Sequence, residues 1–362
     1  MPVLQGCEVI TQAEARSRFP VLQRYAYLNA GSVGPLSRHT ADVMESVRAE
    51  GLAAGRGSMA AFESGQADEV ALRERVAAFI NVPVEKVLLT TSTTEGCNIV
   101  VTGLRLSPED EVVTTDAEHP GLMAPLEASG AKIKKARITE HPAADALEVI
   151  SAEITPATKL IALSHVLWLN GHVMPLADIK RVTGLPLLVD GAQSVGAIKV
   201  DASVADWYTV SGQKWLCGPE TTGALYVANP DSLRPRLGHF YASVRTDATR
   251  FSVVHLGHEL VAGLNASLGD FPEWGFARAA ELVSRCREAL IAAGVDVRSE
   301  AGQGTLISFR VPGEPAEVVK AAYERGVIIR HLPDGWLRAS VGWWNDESDI
   351  DRLVAAMSVQ AV

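Results

Sequence analysis

The chain predicts an α/β fold: a large domain on a mostly parallel seven-stranded sheet covered by helices on both faces, then a smaller α+β domain. Three observations carry that prediction. From Lys86 to Val227, short apolar runs alternate with helical patterns, as strands and crossover helices of a parallel sheet do. Several runs, such as Leu185–Val189 and Gly223–Val227, are apolar throughout rather than at every second position, as expected of strands buried on both faces. After Pro230 the alternation stops. The expected division is 20–250 for the large domain and 251–362 for the small one, with 1–19 packing on the latter.

Taken in order, Thr11 and Glu14 make a capping-box pattern for a short opening helix that ends near Phe19-Pro20. Tyr25–Gly34 is small and turn-rich. Ser37 caps a long amphipathic helix to about Ala54, which Gly55-Arg56-Gly57 stops. A second helix, about Gln66 to Ile80, leads into the strand Lys86–Thr91. Further strands are expected at Glu111–Thr115, Lys132–Ile138, Lys159–Ser164, Leu185–Val189, Trp207–Val210 and Gly223–Val227, the last three as buried strands of the parallel sheet. Helical patterns lie at Thr94–Thr102, His119–Ser129, Ala143–Glu153 and Leu176–Thr183. Leu237–Gly257 is irregular and rich in His, Arg and Tyr. Helices near Leu260–Leu268 and Ala277–Ala293, a strand Thr305–Val311, a helix Ala316–Arg325, strands Val327–Arg330 and Trp336–Val341, and a helix capped by Asn345 complete the small domain.

The 362 residues suffice for two domains, and 47% apolar with 21% charged residues is an ordinary globular balance. A net charge of −10 without a basic block argues against nucleic acid and anionic membrane as partners. Cys7, Cys97, Cys217 and Cys286 show neither CxxC nor Cys/His spacing. No metal site or disulfide framework is therefore expected, and a reducing cytoplasm is. No signal peptide is expected, and no run approaches the ~20 apolar residues of a membrane span.

Ligands of open α/β sheets collect at the carboxyl ends of strands. Asp190 closes one apolar run and Lys214 lies in the turn after the next, so neighbouring strand ends would bring them together. A lysine in an apolar pocket becomes a usable amine nucleophile, although a lone one is more often a surface residue. A carboxylate ending an apolar strand is costly unless paired, the plainer alternative being an N-cap aspartate. Together they suit a cofactor with a ring nitrogen to charge and an aldehyde to condense, which describes pyridoxal phosphate (PLP). Gln193 could reach the ring's 3′ oxygen. Thr93 and Thr94 at a helix start, with Ser211 and Gln213, could bind its phosphate, or the cluster could be a plain N-cap. His119 could stack on the ring and assist proton movements, or be structural. Arg338 matches a substrate α-carboxylate or a structural salt bridge.

Together these segments resemble the class V aminotransferase family of fold-type-I PLP enzymes, a group that includes cysteine desulfurases, kynureninase and isopenicillin N epimerase-like proteins. The resemblance runs from YLNAGSVGPL at Tyr27–Leu36 to the segment Leu337–Leu353. Its most specific parts are TTEGCN at Thr93–Asn98, EHPG at Glu118–Gly121, SHV…G at Ser164–Gly171, VDGAQSVG at Val189–Gly196 and SGQKWLCGP at Ser211–Pro219. It implies that Lys214 carries the cofactor as a Schiff base, Asp190 binds the pyridine nitrogen and Gln193 contacts the 3′ oxygen. It further implies that His119 stacks on the ring, that Thr93, Thr94 and Ser211 hold the phosphate, and that Arg338 grips the substrate carboxylate. A homodimer is implied too, with Arg56 at the place from which a partner subunit would lend an arginine.

The departures bear on the reaction. Desulfurases carry a nucleophilic cysteine in the loop before the Arg338-like residue. Here that loop is only His331–Gly335 and has no cysteine, which argues against persulfide-forming desulfuration. Gln213 stands where desulfurases often have histidine, and Trp168 where an asparagine is common. Arg250-Phe251-Ser252 is similar to the family's RFE segment without the Gly-Thr that usually follows, and His255 lies near that place. Ser32, Trp168 and the Leu237–His258 region are the candidates for contact with the substrate side chain. The expected function is that of a PLP enzyme acting on an α-amino acid. Transamination is ahead of C–S lysis and epimerisation because it needs no additional nucleophile. A scaffold that has lost catalysis would have no need of Lys214, Asp190 and Arg338 together. A nucleotide-binding reading lacks its glycine motifs.

Overall fold

A computed structural model of the protein describes residues 10–235, 237, 240–252 and 255–358. The chain opens with α1 (Gln12–Ser17), β1 (Ala26–Tyr27), α2 (Arg38–Ala54), α3 (Met59–Phe79) and β2 (Val87–Thr90). Strands and helices then alternate through α4 (Thr93–Leu104), β3 (Glu111–Thr115), α5 (Pro120–Ala128), β4 (Lys132–Ala136), α6 (Ala146–Ala152), β5 (Thr158–Ser164), α7 (Leu176–Thr183) and β6 (Leu187–Asp190). Next come β7 (Trp207–Ser211), β8 (Gly223–Val227), α8 (Phe240–Val244), α9 (His258–Gly269), α10 (Gly275–Ala292) and β9 (Asp296–Val297). The order ends with β10 (Leu306–Arg310), α11 (Pro315–Glu324), β11 (Val327–Ile328), β12 (Arg330–His331), β13 (Leu337–Ser340) and α12 (Glu347–Ser358).

The main sheet has seven strands in the order β2-β8-β7-β6-β5-β3-β4. Pairs β7–β6, β6–β5, β5–β3 and β3–β4 are parallel, whereas β8 is antiparallel to both its neighbours. This corrects the expectation that Gly223–Val227 runs parallel with the rest. Burial on both faces makes it as apolar as its neighbours, so composition does not reveal direction. Direction follows from the connection instead: residues 212–222 hold no helix and are too short for a parallel crossover. The helix expected from Gln66 starts at Met59, because Ser58 accepts a hydrogen bond from the Ala61 N–H and caps it.

Apolar side chains bury both faces of this sheet. One cluster runs from Leu72 and Ile80 through Leu163, Val189 and Tyr208 to Leu264. The other packs α4 and α5 over Leu88, Val112, Leu160 and Leu188. A separate core, including Leu282, Phe309, Ala339 and Leu353, fills the C-terminal part behind the four-stranded sheet β12-β13-β10-β9. The segment 20–30, expected with the large domain, lies against that part: Ala26 and Tyr27 pair in parallel with Val327 and Ile328, and Leu28 is in the same core. Helix α1 is held there by Arg16, which forms ion pairs with Asp346 and Asp349 at 2.9 and 2.7 Å. The irregular stretch expected over Leu237–Gly257 holds α8 and a 3-10 turn at Ala248–Phe251, and lies in part outside the described residues. No helix among the described residues is long and apolar enough to cross a membrane.

Candidate active site

The site lies at the carboxyl ends of the parallel strands. Asp190 is the last residue of β6, 2% exposed, opposite Thr209 of β7. Its carboxylate accepts from the Ala192 N–H at 2.9 Å and the Thr209 hydroxyl at 3.3 Å. No Lys, Arg or His among the described residues lies within ion-pair distance of it. Three residues beyond the end of β7 is Lys214. Burial lowers its pKa to about 8, against an opposing pull from the nearby Asp190 charge and with Arg338 and Arg330 lowering it further. The two residues thus face one site, as the strand pattern predicts.

Gln193 joins their two turns. Its Nε2 donates to the Gly31 carbonyl at 2.8 Å and its Oε1 accepts from the Trp215 indole at 3.0 Å. One Nε2 hydrogen remains for a ligand. Trp215 is anchored in an aromatic cluster with Phe19, Trp343 and Trp344. The turn behind Lys214 is strained: Cys217 and Thr221 hold φ of 55° and 61°, in the left-handed region uncommon for residues other than glycine. Gln213 holds that turn, its Oε1 accepting from the Thr221 N–H at 3.0 Å. Ser211 ends β7 and is buried. Thr93 and Thr94 are the first two residues of α4, capped by Ser92, so their N–H groups belong to an open helix end.

His119 caps α5 by accepting the Gly121 N–H on Nδ1 at 3.0 Å. The acceptor role leaves the proton of the neutral ring on Nε2. Burial, then Lys214, lowers its pKa, so the ring is neutral at pH 7. A Cβ on Gly121 would come within 2.7 Å of the Thr94 hydroxyl and 3.1 Å of His119 Nδ1, so the starts of α4 and α5 meet at this glycine. Trp168 stands edge-on to His119 with ring centroids 5.1 Å apart. Beside it Glu118 is buried, accepting from the Ser164 hydroxyl at 2.5 Å, the Ser164 N–H at 3.0 Å and the Thr115 hydroxyl at 2.7 Å. Burial pushes its pKa up to about 7, only partly offset by those hydrogen bonds.

Arg338, on β13, is 0% exposed. Its Nη1 donates to the Trp168 carbonyl at 3.0 Å, while Nε and Nη2 have no partner. Burial, with Arg330 adding to it, lowers its pKa to about 9, which leaves it charged at pH 7. Ser32 donates to Asn29 and accepts from Arg330 at 3.1 Å. Arg56 is exposed at the α2–α3 junction, outside this chain's own site. The fold thus brings together Lys214, Asp190, His119, Trp168 and Arg338, and leaves Arg56 apart. Arg330 and Glu118 are ionisable residues here to which the sequence assigned no role of their own. A lone arginine at the end of the apolar run Val327–Ile329 was the available signal for the first.

Residues 38–259 match the family model of aminotransferase class-V. The chain belongs to this family. A probable cysteine desulfurase of Methanothermobacter thermautotrophicus is 26% identical to it, covering 94% of this chain and 96% of that one. The isopenicillin N epimerase of Streptomyces clavuligerus is 27% identical over 95% and 97% of the two chains. Among solved structures, the cystine C-S lyase C-DES in complex with its reaction product cysteine persulfide superposes with a TM-score of 0.88. It is 28% identical over 95% of this chain and 100% of its own. Class V enzymes use PLP, and the architecture here is that of fold-type-I PLP enzymes.

Proposed function

We propose that this class V chain is a PLP-dependent enzyme acting on an α-amino acid, with Lys214 as both cofactor anchor and proton carrier. The observation that carries the reading is the pairing of a lysine whose pKa falls to about 8 with an enclosed carboxylate that has no cation of its own. The residues fit the cofactor: a protonated pyridine nitrogen is the missing cation for Asp190, and Nε and Nη2 of Arg338 are unpartnered buried donors suited to a carboxylate. Bound PLP supplies an aldehyde for amines and an electron sink for charge developing at Cα.

The chain's own residues supply the rest. Asp190 holds the ring nitrogen charged. The neutral His119 ring would lie against the bound ring, and its Nε2–H remains available as a donor. Thr93, Thr94 and Ser211 offer N–H and hydroxyl donors to the phosphate, with Gln213 shaping the turn and Gln193 offering its remaining hydrogen to the 3′ oxygen. Arg338 holds the α-carboxylate, while Trp168 and Ser32 border the substrate side. Nζ of Lys214, once free, takes the Cα proton. Transamination follows from these groups without a further nucleophile.

C–S lysis is a second reading, favoured by two observations: the likeness to a cystine C-S lyase and a tight β12–β13 hairpin that carries no cysteine. The described cysteines, Cys97, Cys217 and Cys286, are free, buried and raised in pKa, so none serves as a sulfur-accepting thiolate. Free thiols also favour a cytoplasmic setting. A homodimer is supported by exposed Leu52, Met59 and Phe62 on either side of Arg56.

Adding PLP should produce a visible absorption band that Lys214→Ala abolishes; a wild-type protein that stays colourless would sink the proposal. Product analysis for keto acid, sulfide and inverted enantiomer over a panel of amino acids then separates transamination from C–S lysis and epimerisation.

A further inference from the structure

Arg330 and Arg338 are Cα partners in the antiparallel pair β12–β13, so their side chains leave the same face of the small sheet at adjacent positions. Like charges so placed repel. Neither guanidinium meets a carboxylate among the described residues. Arg330 donates to the Ser32 hydroxyl at 3.1 Å and the His331 carbonyl at 3.3 Å, Arg338 to the Trp168 carbonyl at 3.0 Å, and every one of these acceptors is neutral. The other titratable groups that feel both arginines are Lys214 and the neutral His119, neither of which supplies negative charge. A like-charged pair partly withdrawn from water, with two unpartnered guanidinium nitrogens, is an anion site awaiting its ligand.

One α-carboxylate balances one guanidinium and leaves the other unmatched. Arg338 is fully enclosed and Arg330 half-buried, so the deeper position suits the group common to all substrates and the shallower one the variable end. We propose that Arg330 binds a second carboxylate on the substrate, which makes the substrate class dicarboxylic amino acids. This deepens, and rests on, the reading of the site as an α-amino-acid enzyme.

The test compares charge isosteres on the holoenzyme: aspartate with asparagine, glutamate with glutamine, and S-carboxymethylcysteine with its amide. The acid should be favoured by about 10-fold or more in kcat/KM in at least one pair, as expected of a site built to pair a charge. Arg330→Gln should shrink that ratio to within about threefold. A ratio at or below one in every pair turned over, or a preference that survives intact in Arg330→Gln, overturns the proposal; the former would mean that both arginines hold a single carboxylate, the latter that another group holds the second one. A second arm needs no turnover: calorimetry on PLP-free protein should find succinate bound about 10-fold more tightly than its monoamide, with the difference erased in Arg330→Gln. Equal binding of the two by wild type overturns the proposal. If no amino acid is turned over or alters the visible spectrum, the enzyme reading fails, and the calorimetric arm still decides the second anion site.

Discussion

Lys214 shows how far burial, with Arg338 and Arg330 adding to it against the pull of Asp190, can move a side chain. With a pKa of about 8 rather than 10.5, about a tenth of the population is neutral at pH 7, against a few parts in ten thousand for a solvated lysine. Capture of PLP by the apoprotein should therefore accelerate about tenfold per pH unit below 8 and level off above it, followed by visible absorbance. A rate independent of pH from 6 to 8 would show that the amine is not limiting. Glu118 moves the other way, from 4.5 up to about 7, so the folded chain binds more protons than the unfolded one between those values. Its stabilising contribution is present below 4.5 and is lost as pH rises through 7, at up to about 1.4 kcal/mol per unit. Glu118→Gln keeps an acceptor for Ser164 but cannot ionise. Relative to wild type, the variant should gain on the order of 2 kcal/mol in apoprotein denaturant stability between pH 5 and 7. Parallel pH profiles would show that Glu118 does not titrate there.

At the scale of elements, the site depends on turns that admit little volume. The Gly34 N–H donates to the Gln213 carbonyl at 2.7 Å, and a Cβ on Gly34 would overlap the Lys214 carbonyl oxygen. Gly34→Ala must push the lysine turn aside, at a cost of about 1–3 kcal/mol. PLP affinity should fall at least about 10-fold with the far-ultraviolet spectrum unchanged; unaltered affinity would show that the turn has slack. The strand-to-turn sites were legible in the chain because each is local: an apolar run followed by Asp190, another followed by Ser211–Lys214, and a Ser/Thr start to α4. The direction of β8 was not, since burial on both faces gives parallel and antiparallel strands the same composition. Nor was the commitment of Gln193 to Trp215, which depends on where two separate turns come to rest, or that of Gln213 to Thr221, which depends on how their shared loop closes.

For the molecule as a whole, the α2–α3 junction carries Leu52, Met59 and Phe62 at 83%, 71% and 64% exposure, with Arg56 between them. Exposed apolar side chains at the adjoining ends of two long helices suit a contact with a second copy. Phe62→Asp should convert a dimer to monomers in sedimentation experiments. A wild-type protein that sediments as a monomer at micromolar concentration would remove the dimer from the proposal, and Arg56 with it.

The sequence by itself determined the layered α/β architecture and the placement of Asp190, Lys214 and His119 at strand and helix ends, because apolar periodicity and turn chemistry act over a few residues. Only the tertiary structure decided that Ala26–Tyr27 pairs with Val327–Ile328, and that Arg330 stands opposite Arg338 with no carboxylate between them. Those outcomes depend on register and on contacts between distant segments. They are selected by the burial of the whole core, and a pattern read over short windows does not contain them.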